Sequence, residues 1–191
     1  MTATIAHSAT GRQTVDPRAT ALAAMALLLE YPTPAVLGHA LFCREALEER
    51  FPEAAHELSA FVAWAANEPP EAVEETFTRT FYIAPVCVPY VGIHLFGEES
   101  FQRGAFMARL LDAFAERGFS AAPELPDHVT ALLRFAHLLD SAELEDLVDY
   151  CLREPVERMA AKLAKTTNPY RHVLAALAAV LGARGAQGAL Q

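Results

Sequence analysis

"PELPDHVTALLRFAHLL", Pro123 to Leu139, sets prolines and two acids directly in front of a strongly apolar run. Proline suits the first helical position, where a missing N–H costs nothing, and acids in the first turn complement the helix dipole. On that reading Asp127 caps the helix that follows. A helix mouth is also a place to hold something, and the rest of the chain decides between punctuation and binding.

Proline marks helix starts throughout. Asp16-Pro17 reads as cap and first residue of "RATALAAMALLLE", and Thr33-Pro34 does the same for "AVLGHALFCREALEE". Phe51-Pro52 opens "EAAHELSAFVAWAAN", with Leu58, Phe61, Val62 and Ala65 on one face. Val73, Phe77 and Phe81 fall at i, i+4 and i+8 of a fourth helix. The pattern breaks at "YIAPVCVPYVGIHLFG", Tyr82 to Gly97, where Pro85 and Pro89 deny a regular strand. The expectation there is a partly buried loop, unusually hydrophobic for its type. Helix resumes over "EESFQRGAFMARLLDAFAERG", with Gly118 as its stop, and again over "HVTALLRFAHLL". Ser141 caps "AELEDLVDYCLRE", "PVERMAAKLAKTT" follows, and Asn168-Pro169 opens "YRHVLAALAAVLG". The expectation is an all-α, single compact domain of about nine helices over residues 16–182, between a leader at 1–15 and a flexible tail at 183–191. The aromatics Trp64, Phe77, Phe81, Tyr82, Phe96, Phe101 and Phe114 are expected in the core.

Composition narrows the function. The 191 residues suffice to bury a full core without staples. A net charge of −9, with 15 Lys and Arg scattered among 24 acids, argues against nucleic acid and suits a positively charged partner. Cys43, Cys87 and Cys151 are odd in number and far apart, so a disulfide framework is not expected and a reducing cytoplasm is. The first twenty residues lack the apolar core of a secretory signal, and no apolar run nears the roughly 18 residues of a membrane span.

No catalytic motif stands out. The seven histidines never pair at metal-ligand spacing, and no glycine-rich phosphate loop occurs. Glu124, Asp127 and His128, with His94 folded nearby, form the one alternative: a helical metalloprotein or enzyme. In "HLFGEESFQRG", Glu98 and Glu99 sit on the first turn of a helix, and Glu99 stands four residues before Arg103, the favourable order for a surface pair. Gly104 costs about 1 kcal/mol inside that helix, which predicts close approach of a neighbouring backbone.

Taken together, His94-Leu95, Arg103-Gly104 and Glu124-Leu125-Pro126-Asp127-His128, followed by "NPYRHVLAALAAVL", resemble the NarJ/TorD/DmsD family of redox-enzyme maturation chaperones, the NarJ-like branch in particular. The likeness spans about Leu22 to Leu181. It implies a cytoplasmic chaperone without catalytic turnover and without a cofactor or metal of its own. Its partner would be the catalytic subunit of a molybdopterin oxidoreductase such as a nitrate reductase. The chaperone would hold that subunit's N-terminal peptide, a twin-arginine leader or its remnant, during cofactor insertion before export or membrane attachment. A monomer or a homodimer fits the resemblance. A receptor for such a peptide needs an apolar groove with carboxylates at its mouth. Tyr90, His94, Phe96, Glu98, Glu99, Arg103, Glu124, Leu125, Pro126, Asp127 and His128 are the expected peptide-binding residues, with Glu98, Glu99, Glu124 and Asp127 as an acidic rim.

Overall fold

The computed structural model describes residues 16–183. The expected leader, with His7, and all of the expected tail beyond Ala183 lie outside the described residues. Among those described there is no strand, and the helices pack as one compact domain.

Asp16 caps α1 (Pro17–Leu29), its Oδ1 accepting from the Arg18 N–H at 2.8 Å. Apolar residues cover nearly the whole circumference of α1, from Ala19 through Leu22, Met25 and Leu28. A helix apolar all round belongs at the centre, and α1 lies there, packed on α2 (Val36–Glu48), α7 (Val129–Phe135) and α10 (Tyr170–Gly182). The start of α2 is two residues later than Pro34. Thr33 and Pro34 instead form a turn, with the Val36 N–H donating to the Thr33 carbonyl at 2.9 Å. Pro52 and Pro70 occupy the first positions of α3 (Pro52–Ala65) and α4 (Pro70–Phe81). Phe61, Phe77, Phe81 and Tyr170 stack between α3, α4 and α10 with centroids 5.1–5.6 Å apart, the offset and edge geometries that aromatic rings prefer.

Further expectations need correcting. The apolar loop contains a short helix, α5 (Val91–Phe96). Ser100 caps α6 (Phe101–Glu116), accepting from the Gln102 N–H at 3.2 Å, so Glu98 and Glu99 lie in the turn before the helix rather than on its first turn. Asp140, not Ser141, caps α8 (Ser141–Asp146). Its carboxylate accepts from the Ala142 and Glu143 N–H groups while the Glu143 side chain accepts from the Asp140 N–H, a reciprocal box. Asp140→Ala is expected to cost about 1 kcal/mol in urea denaturation.

The two helices expected on either side of Pro155 are one rod. α8 runs through a π-helical segment (Leu147–Leu152) into α9 (Arg153–Leu163). Pro155 lacks the N–H for a regular α bond and its ring crowds the carbonyl four residues back; the wider turn ahead of it accommodates both. Counted as one, the rod brings the described helices to nine. Of the expected core aromatics, Phe77, Phe81 and Phe114 are buried and Trp64 is half-buried against Phe61 and Tyr170, whereas Tyr82, Phe96 and Phe101 are exposed. Nothing lies within 4 Å of where a Gly104 side chain would sit, so no backbone approaches there.

Candidate functional site

The hydrophobic loop is explained by what covers it. The Val91 N–H donates to the Asp127 carbonyl and the Val129 N–H to the Pro89 carbonyl, both at 2.8 Å, an isolated antiparallel bridge at Tyr90 and His128. This pinch ties the loop to the Glu124–His128 segment, and Cys87, Pro89 and Val91 are buried beneath it. The segment from Tyr82 to Val86 stays outside, with Ile83 71% exposed.

Asp127 does not cap a helix. It is fully buried, and Arg103 grips it with Nε on Oδ2 at 2.7 Å and a second bond to Oδ1 at 3.3 Å. The expected Glu99–Arg103 pair is therefore not the one formed. A two-pronged bond to a desolvated carboxylate outcompetes an exposed i,i+4 partner, whose contribution is a few tenths of a kcal/mol. Gly92 makes room for the pair: a side-chain carbon there would sit 2.6 Å from Asp127 Oδ2 and 2.9 Å from Arg103 Cγ. The Arg103 guanidinium also lies 5.6 Å from the centre of the Tyr90 ring, which meets His128 edge-on at 5.2 Å.

His128 takes the capping role in place of Asp127. Its Nδ1 accepts from the Thr130 N–H at 3.3 Å and lies 2.7 Å from the Thr130 hydroxyl. Burial pushes the imidazole below the ordinary histidine value, against the pull of Glu124 and Asp127. Burial likewise lowers His94, whose Nε2–H donates to the Val88 carbonyl at 2.8 Å. Histidines held neutral in the fold stabilise it above about pH 6.5, and that contribution is lost as the pH falls, because the unfolded chain then takes up protons that the folded chain refuses. Thermal melts between pH 7.5 and 5.5 should show the midpoint falling with pH, and His128→Asn, which keeps an accepting cap, should flatten that slope.

Glu124 faces a different set of partners. The Tyr82 hydroxyl donates to its Oε1 at 2.8 Å and the Tyr90 hydroxyl to its Oε2 at 3.4 Å. Burial, then the neighbouring carboxylate, pushes the Tyr82 hydroxyl up to about 12, so it remains a donor at neutral pH. Beside Glu124 opens a cleft of about 480 Å³, lined by Leu29, Glu30, Tyr31 and Tyr82 and by Pro123, His128, Thr130 and Arg134. Arg134 is held at 3.4 Å by Glu30 across it, and Tyr31 meets Tyr82 and Phe77 edge-on.

The expected peptide-binding residues thus divide. Tyr90, Arg103, Glu124, Asp127 and His128 form one contiguous network, but only Glu124 and His128 of the eleven line the cleft. Leu125 is exposed beside it and Pro126 is buried. His94 is half-buried, and its own carbonyl accepts from Arg158 at 2.5 Å. The Phe96 ring packs 5.5 Å from Phe106, while Glu98 and Glu99 stand exposed on the turn before α6. Leu29, Glu30, Tyr31 and Arg134 escaped the sequence reading; the only hint was an aromatic residue in the turn "EYPTP".

The metalloprotein alternative loses its geometry. Asp127 is claimed by Arg103, His128 by Thr130, His94 by Val88 and Glu124 by two tyrosines, and among the described residues no three His, Cys, Asp or Glu side chains converge as a metal cage. Burial also pushes the Cys43 and Cys87 thiols up to about 12 and Cys151 to about 11, far from the thiolate a nucleophile needs. No described helix is long and apolar enough to cross a membrane.

The family model described as nitrate reductase delta subunit matches residues 44–176. No curated protein matches the chain in sequence. Among solved structures, a crystal structure from Archaeoglobus fulgidus, titled as that of a redox enzyme maturation protein, is similar in fold: TM-score 0.58 and 21% identity, over 84% of this chain and 91% of that one.

Proposed function

The chain belongs to the nitrate reductase delta subunit family, and from that premise we propose that it is a cytoplasmic assembly chaperone for the catalytic subunit of a molybdenum oxidoreductase. It binds that subunit's N-terminal leader or leader-like peptide, assists cofactor insertion before export or membrane attachment, and turns over no substrate.

One observation carries this reading: the cleft beside Glu124 combines aromatic walls from Tyr31 and Tyr82 with a carboxylate that is held but not saturated. A carboxylate accepts about four hydrogen bonds, and the two phenols use two. The remaining lone pairs suit an arginine at the end of a peptide whose apolar part lies against the rings. Asp127 serves as a positioning residue: its bond to Arg103 fixes the segment that presents Glu124.

The test is calorimetry with a synthetic peptide bearing two adjacent arginines followed by an apolar helical stretch. Glu124→Ala should weaken binding about tenfold, equivalent to about 1.4 kcal/mol, with unchanged helicity by circular dichroism. Wild-type affinity in that variant would remove Glu124 from the binding role.

A further inference from the structure

Helix α6 (Phe101–Glu116) carries two apolar faces, and the fold uses one. Its inner face packs through Phe106, Leu110 and Phe114. On the other side, Phe101, Gly104, Ala108, Leu111 and Ala115 recur at intervals of three, four, three and four residues, which keeps them on a single seam along a 3.6-residue helix. All five are exposed, Phe101 at 91% and Leu111 at 54%, although ordinary surface helices show water a polar face. The two small residues between the large ones, Gly104 and Ala108, leave a shallow trough, into which a second helix could settle at the short end of the usual 8–10 Å spacing.

Charge selects the occupant. Asp112 and Glu116 flank the seam, and Glu98 and Glu99 stand in the turn before its first residue. Arg109 is the exposed base among them, because Arg103 is taken by Asp127 and Arg117 by Glu143 and, at 3.8 Å, by Glu116, which leaves Glu98, Glu99 and Asp112 as the main negative charges beside the seam. A second copy packed antiparallel would bring Glu98 and Glu99 against Asp112 and Glu116, and a parallel copy would set each acid beside its twin. Both arrangements juxtapose like charges, which costs association free energy. A partner helix with basic flanks reverses that sign.

We propose that the outer face of α6 is a docking surface for a cationic amphipathic helix of a partner protein, separate from the cleft beside Glu124. The probe is a fluorescein-labelled 18-residue peptide with leucines at heptad a and d positions and lysines flanking them, followed by anisotropy at 0.15 M salt. A peptide of the same composition with scrambled order controls for bulk charge. Ala108→Glu, in the middle of the trough, should raise Kd at least tenfold, and the double variant Glu98→Lys/Glu99→Lys should raise it several-fold. Ala60→Glu, at an exposed alanine of α3, should leave it unchanged. Glu124→Ala is read with the two-arginine peptide in calorimetry and Ala108→Glu with the leucine–lysine helix in anisotropy, so failure here is distinguishable from failure of the leader-binding reading, on which the separation of the two sites rests. Equal affinity for the ordered and scrambled peptides, or indifference to Ala108→Glu, overturns the proposal. So does sedimentation showing a dimer that Ala108→Glu disperses, which would assign the face to a second copy instead.

Discussion

Arg103→Ala is expected to remove about 3–5 kcal/mol of stability, the largest loss foreseen for a single charged side chain in this fold. The reason is what remains. Asp127 is fully buried and its two principal bonds come from Arg103, so truncating the arginine strands a carboxylate in a low-dielectric setting. The intact pair is a modest net contributor, since desolvating both charges offsets most of their attraction. Asymmetry is therefore the signature. Asp127→Asn keeps the shape and removes the stranded charge, and should cost less than Arg103→Ala because Arg103 retains a route to water. A double-mutant cycle on Arg103→Ala and Asp127→Asn should return a coupling of at least 1 kcal/mol. Urea denaturation reads all three variants. A loss below 1 kcal/mol for Arg103→Ala would mean that the pair does not hold the Glu124–His128 segment in place.

The helical plan was legible because its signals are local. Asp16-Pro17, Phe51-Pro52 and the i, i+4, i+8 spacing of Val73, Phe77 and Phe81 act within one or two turns, and the structure places helices on all of them. Asp127 shows where locality ends. An acid two residues before a helix reads as its cap, and nothing nearby says otherwise. Its true partner, Arg103, lies 24 residues earlier on another helix, and once that pair forms His128 inherits the cap. The cleft follows the same logic. Glu124 was visible as a carboxylate at a helix mouth, but Glu30 and Tyr31 arrive from the far end of α1, brought there by the packing of α1 on α7. Exposed apolar residues mislead in the opposite direction. Phe101 and Tyr82 look like core by type, and only the fold reveals that Phe101 faces solvent and that Tyr82 forms a wall of the open cleft.

Gly92 supplies the sharpest test of the buried pair, because two rules predict opposite signs. Its backbone is ordinary helix, with no positive φ, in the first turn of α5. Alanine should then be the better residue, gaining up to about 1 kcal/mol, most of it because the unfolded chain is less disordered. The space says otherwise. The new methyl would sit 2.6 Å from Asp127 Oδ2 and 2.9 Å from Arg103 Cγ, and neither atom is a loose end, since each is pinned by the other. Gly92→Ala is therefore expected to destabilise by about 2–3 kcal/mol, the upper part of what overpacking a filled interior costs. In an Arg103→Ala background one obstructing side chain is gone and the carboxylate is free to turn, so the same substitution should cost less than 1 kcal/mol. Chemical denaturation of wild type, both single variants and the double variant separates these outcomes. Additive losses would show that Gly92 is required for a reason other than the Arg103–Asp127 contact.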